Sequence, residues 1–445
     1  MFPAVPILVE GSSEFDAKLD QLMRRGGEDL DAVAPVVREI LADVRRSGEA
    51  GVRRSIEAFE RRRPAKLVLR DFDGAGALAR LEASLRDALA LAAARITRFH
   101  ERQREPGFRY VEEGIELGVR VRPLARVGVY APGGKARYPS SVLMAAIPAR
   151  VAGVADVVLA TPAPDDRRLA AAPLAGVTTV LDAGGAHAIA ALAYGIAGLP
   201  RVDKIVGPGN AYVACAKRLV FGEVAIDGIA GPSEIVALAD ASADARLVAA
   251  DLLSQAEHDE AAYAVLVTDS RAVAEAVVAE TARQLETLER RDVAAASLAA
   301  HAAVLVTRSR ERMIEVADRI GGEHVALHVA DPEGALARLE NAGAALLGAE
   351  TPVAVADYMA GPSHVLPTGG NVRFASPLGV HDFVVRTSVV RYGAEALARQ
   401  APAITTLARA EGLDAHARAV EARLGGPPAA SARPASAVRE AESET

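Results

Sequence analysis

An α/β chain built on doubly wound parallel sheets is the fold class this sequence predicts. Between residues 127 and 221, short apolar runs alternate about four times with helical stretches. The runs end in turns rich in Gly or Pro, where a strand hands over to a helix. A second α/β section follows from about residue 233 to 378.

Residues 14–62 are charged and helical in pattern, with Val36, Val37, Ile40, Leu41 and Val44 recurring at helical spacing. Leu78 to Arg102, rich in Ala and Leu, predicts a helix stopped by Pro106-Gly107. Residues 108–122 alternate around a Gly, which suits a hairpin. Val127-Gly128-Val129-Tyr130 is a short strand ending at Ala131-Pro132-Gly133-Gly134. Further strands are expected at Val154 to Ala160, Val177 to Leu181 and Val202 to Val206, the last ended by Gly207-Pro208-Gly209-Asn210. Helices at 140–152, 167–175, 186–197 and 211–221 separate them. In the second section, Ile235 to Leu238, Ala262 to Thr268, Ala303 to Thr307 and Ala344 to Leu347 predict strands. Residues 244–258, 270–289 and 309–320 predict helices there, and 393–400 and 402–424 predict two more. Gly425 to Thr445, rich in Pro, Ala and Ser with scattered charge, predicts a disordered tail.

A chain of 445 residues can bury a large core and is expected to form more than one domain. Its 51 Lys and Arg against 58 Asp and Glu give a net charge of −7, which argues against nucleic acid or an anionic membrane as partner. Aromatic residues make up 4% and Trp is absent, so base-stacking platforms are not expected. The single cysteine, Cys215, excludes an intrachain disulfide and a thiolate metal cluster, and its apolar helical setting assigns it to the core. No basic stretch precedes an apolar one at the N-terminus, so no signal peptide is expected. The longest uncharged stretch, Ala183 to Pro200, holds four glycines and is too weakly apolar to span a bilayer. The expectation is a cytoplasmic enzyme.

The segment Leu252-Leu253-Ser254-Gln255-Ala256-Glu257-His258-Asp259 carries the strongest chemical signal. Gln255 and His258 stand three apart on a helical stretch and share a face. An oxygen and a nitrogen donor so placed can hold two corners of a divalent metal site; the alternative is an exposed polar face. Asp357 ends the apolar run Val353 to Ala356, at the mouth of an expected strand, where carboxylates face a site or cap a helix. Glu323-His324 follows Gly321-Gly322, and in a turn both side chains could address one substrate, with His as a base near neutrality. His364 sits in a Gly-Pro turn, and His416, taken alone, is a surface helix histidine. His100, His301, His328 and His381 are assigned structural or surface places. Gly207-Pro208-Gly209-Asn210 and Ala131-Pro132-Gly133-Gly134 each join a strand to a helix, as a phosphate-binding turn or a plain tight turn does. Ala230-Gly231-Pro232-Ser233-Glu234 is echoed by Ala360-Gly361-Pro362-Ser363-His364, two similar turns that could face one site.

Taken together these stretches resemble the histidinol dehydrogenase family. The matching pieces include Tyr130-x-Pro132-Gly133-Gly134, Tyr138-Pro139-Ser140-Ser141, the run Val202 to Asn210, Ala230 to Glu234, Asp251 to Asp259, Asp357-Tyr358, His364-Val365-Leu366-Pro367-Thr368 and Glu411-Gly412-Leu413-x-Ala415-His416. Their order and spacing fit over about residues 30–424. The resemblance implies a zinc enzyme that oxidises an amino alcohol to an amino acid with two NAD⁺, through an aldehyde and its hydrate. It implies zinc held by Gln255, His258, Asp357 and His416, the last from the other subunit of a homodimer. It makes His324 the general base and Glu323 the helper that activates water. Ser233, His364 and Glu411 would line the substrate pocket, and Tyr130, Asn210 and the position of His187 would meet NAD⁺.

The implied fold has two incomplete Rossmann-like domains with small helical N- and C-terminal segments that mediate dimerisation. The expected boundaries are an N-terminal segment 1–24, a first domain of 25–126 and 233–378, a second of 127–232, a dimerisation segment 379–425 and the tail 426–445. The chain departs from the family pattern at His187, where Gln is usual, at Ala145, where Asn is usual, at Gly321-Gly322, where Ala-Pro is usual, and at Val325-Ala326, where Leu-Glu is usual. Two rival readings follow from these changes: a paralogue that oxidises another small polar alcohol, such as a sulfonated propanediol, and a non-catalytic binding relative.

Overall fold

The computed structural model describes residues 5–25, 30–133 and 138–425. Gly134 and the expected disordered tail, 426–445, lie outside the described residues. The chain divides into two units, Met1–Arg104 with Pro123–Val384, and Glu105–Arg122 with Val385–Thr445.

Two six-stranded sheets organise the first unit. One runs Val68–Leu69, Thr179–Leu181, Asp156–Ala160, Arg126–Tyr130, Lys204–Val206, Ala225–Ile226, with only Val68–Leu69 antiparallel to its neighbour. The chain enters this sheet's parallel part at Arg126–Tyr130 in the middle, winds out to one side, then returns to wind out to the other at Lys204–Val206. The second sheet runs Ile7–Val9, Ala303–Val306, Tyr263–Thr268, Glu234–Ala239, Gly322–His328, Ala342–Leu347, all parallel. Apart from its first strand in the chain, Ile7–Val9 at one edge, it is wound the same way, starting at Glu234–Ala239 and reversing between that strand and Gly322–His328.

Burial explains why these strands are continuous apolar runs. Helices cover both faces, so the central strands are buried on both sides and only edge strands such as Ile7–Val9 and Ala225–Ile226 reach water. Helices Leu30–Ser47, Gly185–Tyr194 and Ala211–Val220 pack one face of the first sheet through Val37, Ile40, Leu41, Val44, Ile189 and Val213. Helices Ala83–Glu101, Pro139–Ala152 and Asp166–Ala175 close the other. In the second sheet, Ala245–Ala256, Arg271–Leu285 and Arg291–His301 lie on one face, and Ser13–Met23 and Arg310–Ile320 on the other. Side-chain caps start several of these helices: Ser12 accepts from Phe15 N, Asp244 from Arg246 N and Asn210 from Val213 N.

The domain grouping differs from the expectation. Residues 30–101 pack against the sheet of residues 126–226, not with 233–378. Only Ile7–Val9 and Ser13–Met23 join the later sheet, because Ile7, Leu8 and Val9 pair with Val304, Leu305 and Val306. The hairpin of Phe108–Glu112 and Ile115–Pro123 belongs instead to the second unit, in a three-stranded sheet with Val384–Tyr392. That strand escaped the sequence reading, so the C-terminal segment is not purely helical. Its helices are Ala394–Ala410, with Pro402 inside, and Asp414–Glu421, not 393–400 and 402–424. Among the described residues no helix is long and apolar enough to cross a membrane.

Candidate active site

Glu323 and His324 sit on a strand, not in the expected turn. Gly322–His328 is buried along its whole length, and His324 pairs in register with Ile235 on the neighbouring strand. The preceding helix ends at Gly321, whose φ of 62° is the left-handed conformation a helix stop uses. The strand therefore begins abruptly, and its second and third residues are the acid and the imidazole.

Backbone groups of Glu234 aim this pair. Glu234 N donates to Glu323 Oε2 at 2.8 Å, and the Glu234 carbonyl lies 3.2 Å from His324 Nδ1. A carbonyl only accepts, so Nδ1 carries the hydrogen, and Nε2 is the atom left to exchange a proton. His324 Nε2 is buried, with no hydrogen-bond partner among the described residues, 3.6 Å from Asp357 Oδ1. Burial pushes the Glu323 carboxyl well above its usual range, with the nearby Glu234 and Asp357 charges adding to it. Burial acts to lower His324, but the Glu323 and Asp357 carboxylates outweigh it and raise the imidazole.

Asp357 lies on a short helix, Val353–Tyr358, and not at the end of a strand. Its carbonyl accepts from His364 Nδ1 at 3.0 Å. Burial raises its carboxyl, but His324, His364 and His258 together hold it below the usual range. The helix Ala245–Ala256 packs against this short helix. Gln255 is 1% exposed, and its Oε1 has no hydrogen-bond partner among the described residues. His258 follows just past that helix, half-buried; burial lowers its pKa against the pull of Asp357. A buried amide oxygen without a partner is costly, and a cation removes that cost. One amide oxygen, one imidazole and one carboxylate make a donor set that suits a borderline divalent cation. No group of three His, Cys, Asp or Glu placed to hold a metal ion is found among the described residues.

Ser233 is half-buried beside Glu234, its carbonyl accepting from Tyr263 N at 2.9 Å. Glu411 and His416 belong to the second unit. Both are exposed there, Glu411 as the cap residue of helix Ala394–Ala410 and His416 in the first turn of Asp414–Glu421.

The expected cofactor residues gather at the carboxyl ends of the first sheet's strands, where open α/β sheets bind ligands. Tyr130 ends one strand and Gly207 to Asn210 follow the strand across the reversal point. Gly207 approaches so closely that a Cβ there would lie 2.2 Å from the Tyr130 carbonyl. Its backbone is held at both ends: its N donates to Asp227 Oδ2 at 2.7 Å and its carbonyl accepts from Lys217 Nζ at 3.0 Å. Asn210 Oδ1 is engaged in capping the next helix. Tyr130 is 4% exposed; its hydroxyl accepts from Gly185 N at 3.0 Å, and burial pushes its pKa up to about 12.

His187, expected to meet the cofactor, lies beside the Gly184-Gly185 turn and is engaged by an acidic side chain. It is buried, with Nε2 2.7 Å from Glu60 Oε1, the same oxygen that accepts from Gly184 N at 2.9 Å. Tyr130 and Glu60 thus hold the Gly184-Gly185 turn, with His187 holding Glu60 in place. Glu60, Glu234 and Arg25 were not foreseen. Glu234 left a trace, a charge opening the apolar run to Ala239; Glu60 and Arg25 lie in charged stretches that carry no such mark.

A family model described as histidinol dehydrogenase matches residues 23–424. The histidinol dehydrogenase of Geobacter sulfurreducens is 47% identical over 420 residues, covering 93% of this chain and 98% of its own. That of Rhodospirillum rubrum is 48% identical over 429 residues, covering 94% and 99%. The crystal structure of histidinol dehydrogenase from Elizabethkingia anophelis matches with a TM-score of 0.89 at 30% identity, covering 94% of this chain and 98% of that one.

Proposed function

Because this chain belongs to the histidinol dehydrogenase family, we propose that it oxidises L-histidinol to L-histidine with two NAD⁺ at the site around His324. The observation that carries the reading is that His324 Nε2 and Gln255 Oε1 are both buried and without a hydrogen-bond partner among the described residues, with Nε2 3.6 Å from Asp357 Oδ1. Zinc would be held by Gln255, His258 and Asp357, with His416 of the partner subunit completing the set in a homodimer. Bound there, zinc would supply a Lewis-acid anchor for the substrate, and NAD⁺, held at the turns of Gly184-Gly185 and Gly207 to Asn210, would supply the hydride acceptor.

The residues divide the remaining work. His324 Nε2 takes the hydroxyl proton while Nδ1–H stays on the Glu234 carbonyl, so the ring does not rotate as it is protonated. Glu323 and Asp357 are the carboxylates that favour the protonated ring, and engaging Asp357, which faces Nε2, in a cation's coordination would withdraw its share of that hold. The aldehyde must then add water before a second oxidation. Glu323, fixed by Glu234 N and raised by burial, is suited to pass a proton from that water. Ser233, His364 and Glu411 would contact the substrate, and burial of the reacting groups limits competing water.

Purified protein incubated with histidinol and excess NAD⁺ is expected to yield two NADH per histidinol, to lose this activity with a chelator and to regain it with zinc. NADH formed only from another small alcohol, such as a sulfonated propanediol, would replace the substrate in this reading. No NADH from any alcohol by zinc-loaded protein would leave a binding relative.

A further inference from the structure

On the reading of Glu323 and His324 as the proton-handling pair, we propose that Arg25 and Glu234 are positioning residues that lock this pair in its working geometry. Arg25 follows the helix Ser13–Met23, more than 200 positions from Glu234 in sequence. Its guanidinium has five N–H groups. The structure gives it five bonds: Nε to Glu234 Oε1 at 2.9 Å, Nη2 to Glu234 Oε2 at 2.8 Å, Nη1 to the carbonyls of Leu22 and Ile320 at 2.7 Å each, and Nη2 to the Gly321 carbonyl at 2.8 Å. Both side chains are 1% exposed.

This arrangement solves two problems created by the site. Glu234 and Glu323 stand on neighbouring strands, each one position before the paired Ile235 and His324, so two buried carboxylates lie close together. Like charges so placed repel, and a buried carboxylate without a partner is costly. The planar fork of Arg25 neutralises one of them with two parallel bonds, which a lysine ammonium cannot reproduce. The strand is also entered through Gly321-Gly322, the most flexible dipeptide available. Bonds from Arg25 to the carbonyls of Ile320 and Gly321 remove that freedom where it would move Glu323 and His324. Glu234 then transmits the fixation: its N–H holds the Glu323 carboxylate and its carbonyl holds His324 Nδ1. Gly369 N donates to Glu234 Oε1 at 2.9 Å, tying the loop that follows His364 to the same carboxylate.

The test uses full-length, zinc-loaded protein. Arg25→Met and the double variant Arg25→Met/Glu234→Gln are compared with wild type for kcat, both KM values, zinc content and the ¹⁵N imidazole spectrum of His324, assigned by its loss in His324→Asn. The double variant leaves no unpaired buried charge and so guards against simple unfolding. Expected is a fall in kcat of about 100-fold in both, with KM and zinc content unchanged, as small misplacement of a reacting group produces. The Nδ1–H signal of His324, present in wild type, is expected to broaden or shift to the other tautomer. Wild-type kcat and an unchanged tautomer in the double variant would overturn the proposal. The spectrum separates this from the functional reading: a tautomer change in a protein that does not oxidise histidinol supports positioning while refuting the substrate.

Discussion

His324 carries its two ring nitrogens in different surroundings. Nδ1 is tied to the Glu234 carbonyl, and Nε2 is buried without a hydrogen bond among the described residues. An asparagine there can keep an N–H near that carbonyl but offers no base. His324→Asn is therefore expected to lower kcat by roughly 10²–10⁴-fold, the range for a lost general base, with zinc content by elemental analysis unchanged. Loss of zinc along with activity would make His324 a ligand or a support for one instead. The partners of such residues were unequally legible. Gln255 and His258 announce themselves by spacing on one segment, and His416 by its motif. Arg25 is one arginine among many, and its importance exists only once a strand 200 residues away places Glu234 against it.

His100 shows the same contrast with a consequence for pH. It is fully buried at the end of helix Ala83–Glu101, with Nδ1 2.8 Å from Gln103 Oε1 and Nε2 unpartnered. Burial pushes its pKa below the ordinary value, aided by His381. The folded protein therefore binds this proton less readily than the unfolded chain, so stability is full above about pH 6.5 and declines as pH falls below it, by no more than about 1.4 kcal/mol per pH unit. Urea midpoints measured from pH 7.5 to 5.5 are expected to fall less steeply in His100→Leu than in wild type; parallel curves would mean His100 takes up its proton equally in the folded and unfolded states.

At the scale of elements, the helix carrying Gln255 must keep register with the strand carrying His324. Asp251 lies one turn before Gln255 on Ala245–Ala256, and His328 lies four positions after His324 on the same strand face. The two form a buried bond, His328 Nε2 to Asp251 Oδ2 at 2.9 Å. This pair pins ligand helix to base strand behind the site. A double-mutant cycle with Asp251→Ala and His328→Leu is expected to give a coupling of about 1–3 kcal/mol in unfolding free energy, and either single variant should weaken zinc retention. Additive effects, with zinc held normally, would reduce the pair to an incidental contact. The elements themselves were legible where burial makes strands uniformly apolar, as in Tyr263–Thr268 and Ala303–Val306. Gly322–His328 was not, because its chemistry puts Glu, His and His among the apolar residues and imitates a loop. Val353–Tyr358 was misread for the opposite reason: four apolar residues in a row are too short to separate strand from helix.

For the whole molecule, the repeated winding of two sheets was legible from alternation, but the route of residues 30–104 was not. Helix Leu30–Ser47 has an apolar face that fits any covered sheet, and only packing against Gly185–Tyr194 and Ala211–Val220 decides which. The same limit applies to His416, which the family resemblance assigns to the site of a second copy. Two individually inactive variants resolve it. If each site combines His324 of one subunit with His416 of the other, a heterodimer of His324→Asn and His416→Asn has one doubly altered site and one intact site. Random assembly makes about half of all dimers mixed, so co-expression of the two variants is expected to restore roughly a quarter of wild-type specific activity. Differently tagged chains purified through both tags should reach about half, because every dimer then carries one intact site of two. If His324 and His416 of the same chain share a site, every site in the mixture keeps one lesion, and activity stays at the level of the separate variants.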